Sequence, residues 1–237
     1  MGGRGAGSKL GKAAVAVAAA GATQAVTPSG YTFDDLKNMD DKTLHDFLID
    51  ANNADMPDFL NTHHTQKMVY QLGMNDKPET VSQGEFDSLV AKGNTVIYRT
   101  VNDNGMMSAD DIIDSITDGD LSYMGNGVHG DGLYFSNSLR GSKAYGYSGS
   151  KTMGAVLNSK AKVIDERQLK SEYDSFVQTH PQTRKALGFA RSNSTHNSYS
   201  QFALSQGYNV IRTNEGGGEH YFVVLDRSAL TTSKKRY

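Results

Sequence analysis

Apolar residues recur every three or four positions between residues 31 and 73, the spacing that places side chains on one face of a helix. The first predicted helix begins at a capping box formed by Thr32 and Asp35. Its apolar face consists of Leu44, Phe47, Leu48 and Ala51. A second helix is predicted from about Pro57 to Gly73, because a glycine commonly ends a helix. This part of the chain is therefore predicted to be helical.

From residue 95 onward the pattern changes to that of strands. Residues 95–101 are rich in β-branched and aromatic side chains and give the clearest strand prediction. Further strands are predicted at 133–135, 152–157, 162–164, 208–211 and 220–225. Helices are predicted to begin after Ser82, Ser108 and Asp165 and to span about 198–205. Helices first, then strands with helices between them, predict an α+β fold.

Four glycines, at 125, 127, 130 and 132, precede the predicted strand Leu133–Phe135. Glycine lets the backbone take positive φ and approach a ligand closely, so this stretch is predicted to be a ligand-binding loop; a plain surface loop is the alternative. Residues 125–130 also match the dinucleotide pattern G-x-G-x-x-G. That pattern needs a helix after its last glycine, and here a strand follows, so we reject it.

Composition limits the functional classes. The chain has 237 residues, with 24 basic and 26 acidic side chains and a formal net charge of −2. No overall field therefore attracts nucleic acid or an anionic membrane. The absence of cysteine excludes disulfides, thiolate zinc sites and cysteine nucleophiles. His63 and His64 are adjacent and point to different helix faces, so no metal site is predicted.

Four segments follow from these patterns. Residues 1–30 are Gly/Ala-rich, and we interpret them as a flexible or packaging tail in preference to a secretory signal, because the apolar run lacks Leu, Ile and Phe. Residues 31–92 form a helical extension, 93–231 the main domain, and 232–237 a solvated basic tail.

Three polar features lie on or beside predicted strands. Arg99 stands in an apolar strand, where a charge is costly unless it is paired; it could bind a phosphate, or lie on an exposed edge. Ser136 and Ser138 share one face of a strand, and neither lies in a motif for an activated nucleophile. Glu219 follows three glycines, so a loop could direct its carboxylate into a cleft or leave it in solvent.

Short motifs in this order resemble the ADP-ribosyltransferase superfamily. Tyr98-Arg99-Thr100 is similar to the first-strand arginine motif of its Arg-Ser-Glu branch, and Phe135-Ser136-Asn137-Ser138 to its aromatic, Ser/Thr, any, Ser/Thr motif. Gly130 to Phe135, followed by Ser142 to Tyr145, is similar to a run in the poly-ADP-ribose polymerases. The resemblance covers about residues 95–231 and implies a split β-sheet core with an N-terminal helical extension.

The resemblance also implies roles in binding and cleaving NAD, which is a substrate here, without a metal. Arg99 would contact its phosphate or ribose, Ser136 would order the pocket, and Tyr134 or Tyr145 would stack on nicotinamide. Glu219 would stabilise the oxocarbenium-like transition state, which a fixed carboxylate does electrostatically. The resemblance also implies that Thr100, Gly132 and Ser138 bind NAD. The branch usually ends in Gln/Glu-x-Glu, whereas this chain has Gly217-Gly218-Glu219.

The whole chain resembles proteins encoded in phages and integrated elements of Gram-positive bacteria. They share Met1 to Gly5, Gly73 to Pro78 and Val224 to Leu230 with it. These resemblances together imply a mono-ADP-ribosyltransferase that modifies a host protein or nucleic acid and releases nicotinamide. An NAD glycohydrolase and a non-catalytic virion or interaction protein are the alternatives. The implied location is the bacterial host cytoplasm or the virion, in preference to export, with virion proteins as further partners and no membrane.

Overall fold

The computed structural model describes residues 27–54, 64–74, 77–118, 125–127, 129–187, 195–214 and 217–237. Within them the fold is α+β, as predicted. The helices are α1 (Asp41–Asn53), α2 (His64–Gln71), α3 (Gln83–Ala91), α4 (Ala109–Asp118), α5 (Leu139–Lys143), α6 (Glu166–Thr179), α7 (Pro181–Ala186) and α8 (Thr195–Ser205). The strands are β1 (Glu79–Thr80), β2 (Val96–Val101), β3 (Gly125–Gly127), β4 (Gly130–Ser136), β5 (Lys151–Leu157), β6 (Val163–Asp165), β7 (Val210–Arg212), β8 (Tyr221–Val224) and β9 (Leu230–Arg236).

Two helix starts follow the capping chemistry predicted from the sequence. Ser82 Oγ accepts a hydrogen bond from the backbone N–H of Glu85, and the Glu85 carboxylate accepts one from the N–H of Ser82, so α3 begins with a complete capping box. Ser108 and Asp111 exchange the same pair of bonds before α4. Such reciprocal bonds satisfy two backbone donors that a helix terminus otherwise leaves unpaired.

The predicted start of the first helix is wrong. Asp35 does accept bonds from Thr32, but only a short 3-10 turn, Leu36–Asn38, follows. Met39 is extended, with φ −71° and ψ 141°, which breaks the helical run. A new start is provided by Asp40, whose carboxylate accepts from the backbone N–H of Thr43 at 2.9 Å and caps α1. The predicted start of the second helix, at Pro57, lies outside the described residues.

One mixed sheet organises the described residues. The strand order is β1-β9-β5-β2-β4-β8-β7-β6, and β3 pairs with the beginning of β4. The two pairs at the edges, β1 with β9 and β6 with β7, are parallel, and the pairs between them are antiparallel. The helices α1 and α2 pack with α7 and α8, so the N-terminal helices lie against the rest of the chain.

The glycine stretch is not a loop, and this corrects the sequence-based prediction. Gly125 is opposite Gly132 and Gly127 is opposite Gly130, so the stretch forms the β3–β4 hairpin. Pairing with β4 uses part of the backbone N–H groups that a phosphate-binding loop would have offered. A strand and no helix follows these glycines, which agrees with rejecting the dinucleotide pattern.

The C-terminal residues 232–237 are also not a solvated tail. They form most of β9, which lies between β1 and β5. Thr231, Thr232 and Ser233 are buried, while Lys234 and Lys235 are exposed. Threonine has a high strand preference, and a short run of polar residues still pairs when both neighbouring strands are available. The basic side chains therefore belong to the exposed end of the strand that lies second from the sheet edge.

Two apolar clusters hold the sheet together. One lies under α1, α2 and α6–α8 and reaches Ile211 and Val223 on the sheet. The other cluster contains residues from both halves of the sheet. Ile97 and Met153 lie on one side of the β2–β4 junction, and Phe135 lies on the other. This second cluster keeps the two halves of the sheet together where their backbone pairing is weakest, as the next subsection describes.

Gly132, predicted to contact NAD, has a packing role in this fold. A Cβ at this position would lie 2.7 Å from Val223 Cγ1 and 2.9 Å from the carbonyl oxygen of Val224, closer than real contacts allow. We expect Gly132→Ala to lower the free energy of unfolding by about 1–3 kcal/mol, the usual cost of overpacking. Urea unfolding measures this change. An unchanged unfolding midpoint would show that β4 and β8 can separate freely at this point.

Candidate active site

The site lies where the sheet nearly divides. β2 and β4 share the single pair Tyr98 and Ser136, whereas β2 pairs with β5 along six residues. Next to that pair, Arg99 Nη1 donates a hydrogen bond to the carbonyl oxygen of Tyr134 at 3.0 Å. The arginine side chain thus takes up a backbone acceptor in β4 at the point where the ladder between the two strands ends.

The charge of Arg99 is destabilised by partial removal from water. Its Nε atom has no accessible surface and no hydrogen-bond partner in the described part of the chain, although the residue as a whole stays partly accessible. Burial lowers the pKa of the Arg99 guanidinium to about 10, so the group is still protonated at neutral pH. No carboxylate in the described ranges lies within ion-pair distance of it. A partly buried cation that has no ion-pair partner among the described residues is suited to an anionic ligand.

Ser136 and Glu219 converge over Gly141. A Cβ built on Gly141 would lie 2.8 Å from Ser136 Oγ and 3.6 Å from Glu219 Oε1. Ser136 is 3% exposed and accepts a hydrogen bond from the backbone N–H of Ser138 at 3.0 Å. Glu219 is exposed. Two residues that are 83 positions apart in the sequence therefore both lie within 4 Å of the Cβ position that residue 141 leaves empty because it is a glycine, and we call this position the gap above Gly141.

Helix α5 brings Gly141 to this place. Ser138 Oγ caps the helix by accepting from the backbone N–H of Gly141 at 3.1 Å. Ser142, one residue further, is buried and its hydroxyl lies 2.9 Å from that of Thr100. The Thr100 hydroxyl also lies 2.8 Å from that of Thr152 on β5. This chain of hydroxyls attaches α5 to β2 and uses the side chain of Thr100, which was predicted to bind NAD.

The two tyrosines proposed for stacking differ in access. The Tyr134 hydroxyl donates to the Gly130 carbonyl at 2.6 Å and accepts from the His129 N–H at 3.0 Å, and its ring packs on the helical side of the sheet. Burial raises the pKa of that phenol. Tyr145 is 61% exposed, and its hydroxyl lies 2.9 Å from that of Tyr221, the residue opposite Ser136 on β8. Of the two, Tyr145 has the accessible ring.

Alternation along the strands places the site residues on two faces. Ser136 is opposite Tyr98 and shares its face. Arg99 projects to the other face, together with Ile97 and Val101. The structure therefore groups Ser136, Ser138, Tyr145 and Glu219 on one side, and it connects Arg99 to them through the backbone of β4. Gly132 lies four residues before Ser136 and is packed against β8.

Three contributors were not predicted from the sequence. Gly141 opens the gap, Ser142 anchors α5, and Tyr221 supports Tyr145. No helix was predicted over residues 139–143, so the sequence offered no sign of the role of Gly141. The other two depend on contacts between distant elements.

Comparison with protein-family models, curated proteins and solved structures found no match to this chain. Among the residues that the structure describes, no three His, Asp or Glu side chains are grouped to hold a metal ion. No helix in the described ranges has both the length and the apolar character needed to cross a membrane. A cavity of about 650 Å³, lined by Lys77, Asn158 and Lys160 among others, lies at the opposite end of β5 from Thr152 and does not include the site.

Proposed function

We propose that this chain is an NAD-dependent mono-ADP-ribosyltransferase that transfers ADP-ribose to a host macromolecule and releases nicotinamide. The observation that carries the proposal is the convergence of Glu219 and Ser136 on the space above Gly141. It is supported by the unpaired guanidinium at the adjoining break in the sheet. The single-pair junction between β2 and β4 agrees with the split sheet that the resemblance to ADP-ribosyltransferases implies.

The reaction needs a carboxylate beside a developing cation. When the bond between the ribose carbon and the nicotinamide nitrogen breaks, its electron pair goes to the pyridinium ring, which leaves as neutral nicotinamide. Positive charge then develops on the ribose. The acceptor nucleophile forms the new bond to the same carbon and loses its proton to solvent. A fixed carboxylate such as Glu219 stabilises this charge in the transition state more than in the ground state, and this difference is what accelerates a reaction.

The neighbouring residues suit the other parts of NAD. Arg99 projects to the other face of the sheet, but its guanidinium reaches the backbone of β4 at the β2–β4 junction, so a pyrophosphate that crosses this junction would meet a charged donor. Charge-assisted bonds of this kind are stronger than neutral ones. Tyr145 presents an open ring on which the nicotinamide can stack. Ser136, which already accepts from Ser138, has a hydroxyl donor left to orient Glu219 or the ribose.

The acceptor side of the site is open. Glu219 is exposed and follows Gly217 and Gly218, so no large side chain stands two residues before it. An open approach admits a macromolecular acceptor, and it also admits water. Transfer and NAD hydrolysis are therefore to be separated by experiment.

The experiment supplies the purified chain with NAD labelled in its ADP-ribose part, together with a lysate of Gram-positive bacteria. Label that becomes attached to protein or nucleic acid supports transfer, and free ADP-ribose alone supports hydrolysis. Titration calorimetry with NAD measures binding separately. If the chain neither binds nor consumes NAD, the proposal is wrong and a non-catalytic role is favoured.

A charge-matched pair of variants tests the role of Arg99. We expect Arg99→Gln to raise the dissociation constant for NAD by roughly 10- to 100-fold, the loss expected for a charged hydrogen bond. Arg167→Gln is the control, because Arg167 is exposed on α6 and its substitution removes the same positive charge from the protein. Calorimetry of both variants gives the comparison. Equal affinities would show that Arg99 does not touch NAD.

A further inference from the structure

Asn137 binds the backbone on both sides of Glu219. Its Nδ2 donates to the carbonyl oxygen of Gly218 at 3.0 Å, and its Oδ1 accepts from the backbone N–H of His220 at 3.1 Å. Its own backbone N–H donates to the carbonyl oxygen of His220 at 3.0 Å. One residue thus binds the residue before Glu219 and the residue after it.

The segment needs such a restraint. Gly217 and Gly218 have φ values of 61° and 82°, in the region that glycine enters most easily, so the backbone before Glu219 has few intrinsic limits. The Glu219 carboxylate has no hydrogen bond of its own to the described residues, and the side chain is exposed. The backbone therefore sets the place from which the Glu219 side chain extends. Asn137 supplies two side-chain bonds that restrain this backbone, and His220 Nδ1 makes another with the carbonyl oxygen of Thr213 at 2.8 Å.

We infer that Asn137 is a positioning residue that holds the Glu219 carboxylate over Gly141. The inference rests on the proposed function for its catalytic consequence. An asparagine amide offers a nitrogen donor and a separate oxygen acceptor, about as far apart as the Gly218 carbonyl and the His220 N–H require here.

The test compares Asn137→Ala with the control Asn94→Ala. Asn94 also makes a side-chain bond to a backbone carbonyl, that of Leu89 at 2.7 Å, but at the end of α3. We expect kcat for nicotinamide release to fall about tenfold in Asn137→Ala with KM changed less than about twofold, since small displacements of a catalytic group reduce rate strongly. Asn94→Ala is expected to keep the wild-type kcat. The split between kcat and KM separates positioning from a loss of NAD binding.

An NMR readout that does not depend on activity accompanies the kinetics. Backbone order parameters of Gly218, Glu219 and His220 are expected to fall in Asn137→Ala and to stay unchanged in Asn94→Ala. In Asn137→Asp the acceptor for His220 remains and the donor to Gly218 is lost, so order is expected to fall more at Gly218 than at His220.

The outcomes distinguish the inference from the proposed function. Unchanged order parameters in Asn137→Ala overturn the inference, whatever the kinetics show. Wild-type kcat in Asn137→Ala, in a protein that loses activity on Glu219→Gln, overturns it as well. If the wild-type chain releases no nicotinamide, the proposed function fails, and the order parameters still decide whether Asn137 restrains Glu219.

Discussion

Glu219→Gln is expected to release nicotinamide about a thousandfold more slowly than the wild type, the upper range for removing one electrostatic group from a transition state. Glutamine has nearly the same shape, and Glu219 is exposed, so the fold should not change. The charge is removed from a place where only the transition state is strongly positive. The loss should therefore appear in kcat, with KM for NAD changed little.

The measurement is nicotinamide release under saturating NAD, with calorimetry to check that NAD still binds. Glu172→Gln is the matched control. Glu172 lies on α6, away from the site, and its carboxylate accepts a hydrogen bond from Gln168 Nε2 of the same helix. Both variants lose one negative charge. Equal rates in the two would show that the Glu219 carboxylate takes no part in cleavage.

The second large effect is expected from Gly141→Ala. The added methyl group would lie 2.8 Å from Ser136 Oγ and 3.6 Å from Glu219 Oε1, so the gap between the two residues would be filled. Either Ser136 or α5 must then move. We expect kcat/KM for NAD to fall about a hundredfold, the effect that a displacement of about 1 Å can have.

Gly84→Ala is the control for this substitution. Gly84 also lies in a helix, α3, and a Cβ there meets no atom within 4 Å. Its replacement should leave NAD turnover unchanged and raise the free energy of unfolding by about 0.5–1 kcal/mol through helix propensity. Circular dichroism and urea unfolding verify that both variants fold. A fully active Gly141→Ala protein would show that the space above residue 141 is not used by the substrate.

Much of the local structure could be predicted because local chemistry decides it. The capping boxes at Ser82 and Ser108 are formed by residues three positions apart, and the apolar strand at 96–101 needs only its own side chains to be recognised. The failures have a different origin. Residues 232–237 became part of β9 because β1 and β5, far away in the chain, were available for pairing. The glycine stretch pairs with itself, Gly125 with Gly132 and Gly127 with Gly130, and it was predicted to be a loop because glycine has a low strand preference.

The candidate site divides in the same way. The sequence indicated Arg99, Ser136 and Glu219 by their chemistry, as unusual polar residues beside strands. The sequence could not show that the Tyr134 hydroxyl is already hydrogen-bonded to Gly130 and His129, nor that the Tyr145 side chain is exposed. Hydrogen-bond occupancy and exposure depend on what folds around a side chain.

The sequence by itself determined the helices and strands that have strong local signals, such as α3, α4 and β2, and it showed which side chains carry a charge or a hydroxyl that could serve chemistry. The tertiary structure alone decided that β2 and β4 meet at one pair and that the Arg99 Nε atom is buried beside this junction. It also decided that Ser136 and Glu219 both lie within 4 Å of the Cβ position of residue 141. The physical reason is the distance along the chain over which each interaction acts. Helix caps and strand preferences act over a few residues, whereas the gap above Gly141 is formed by packing between segments separated by most of the domain.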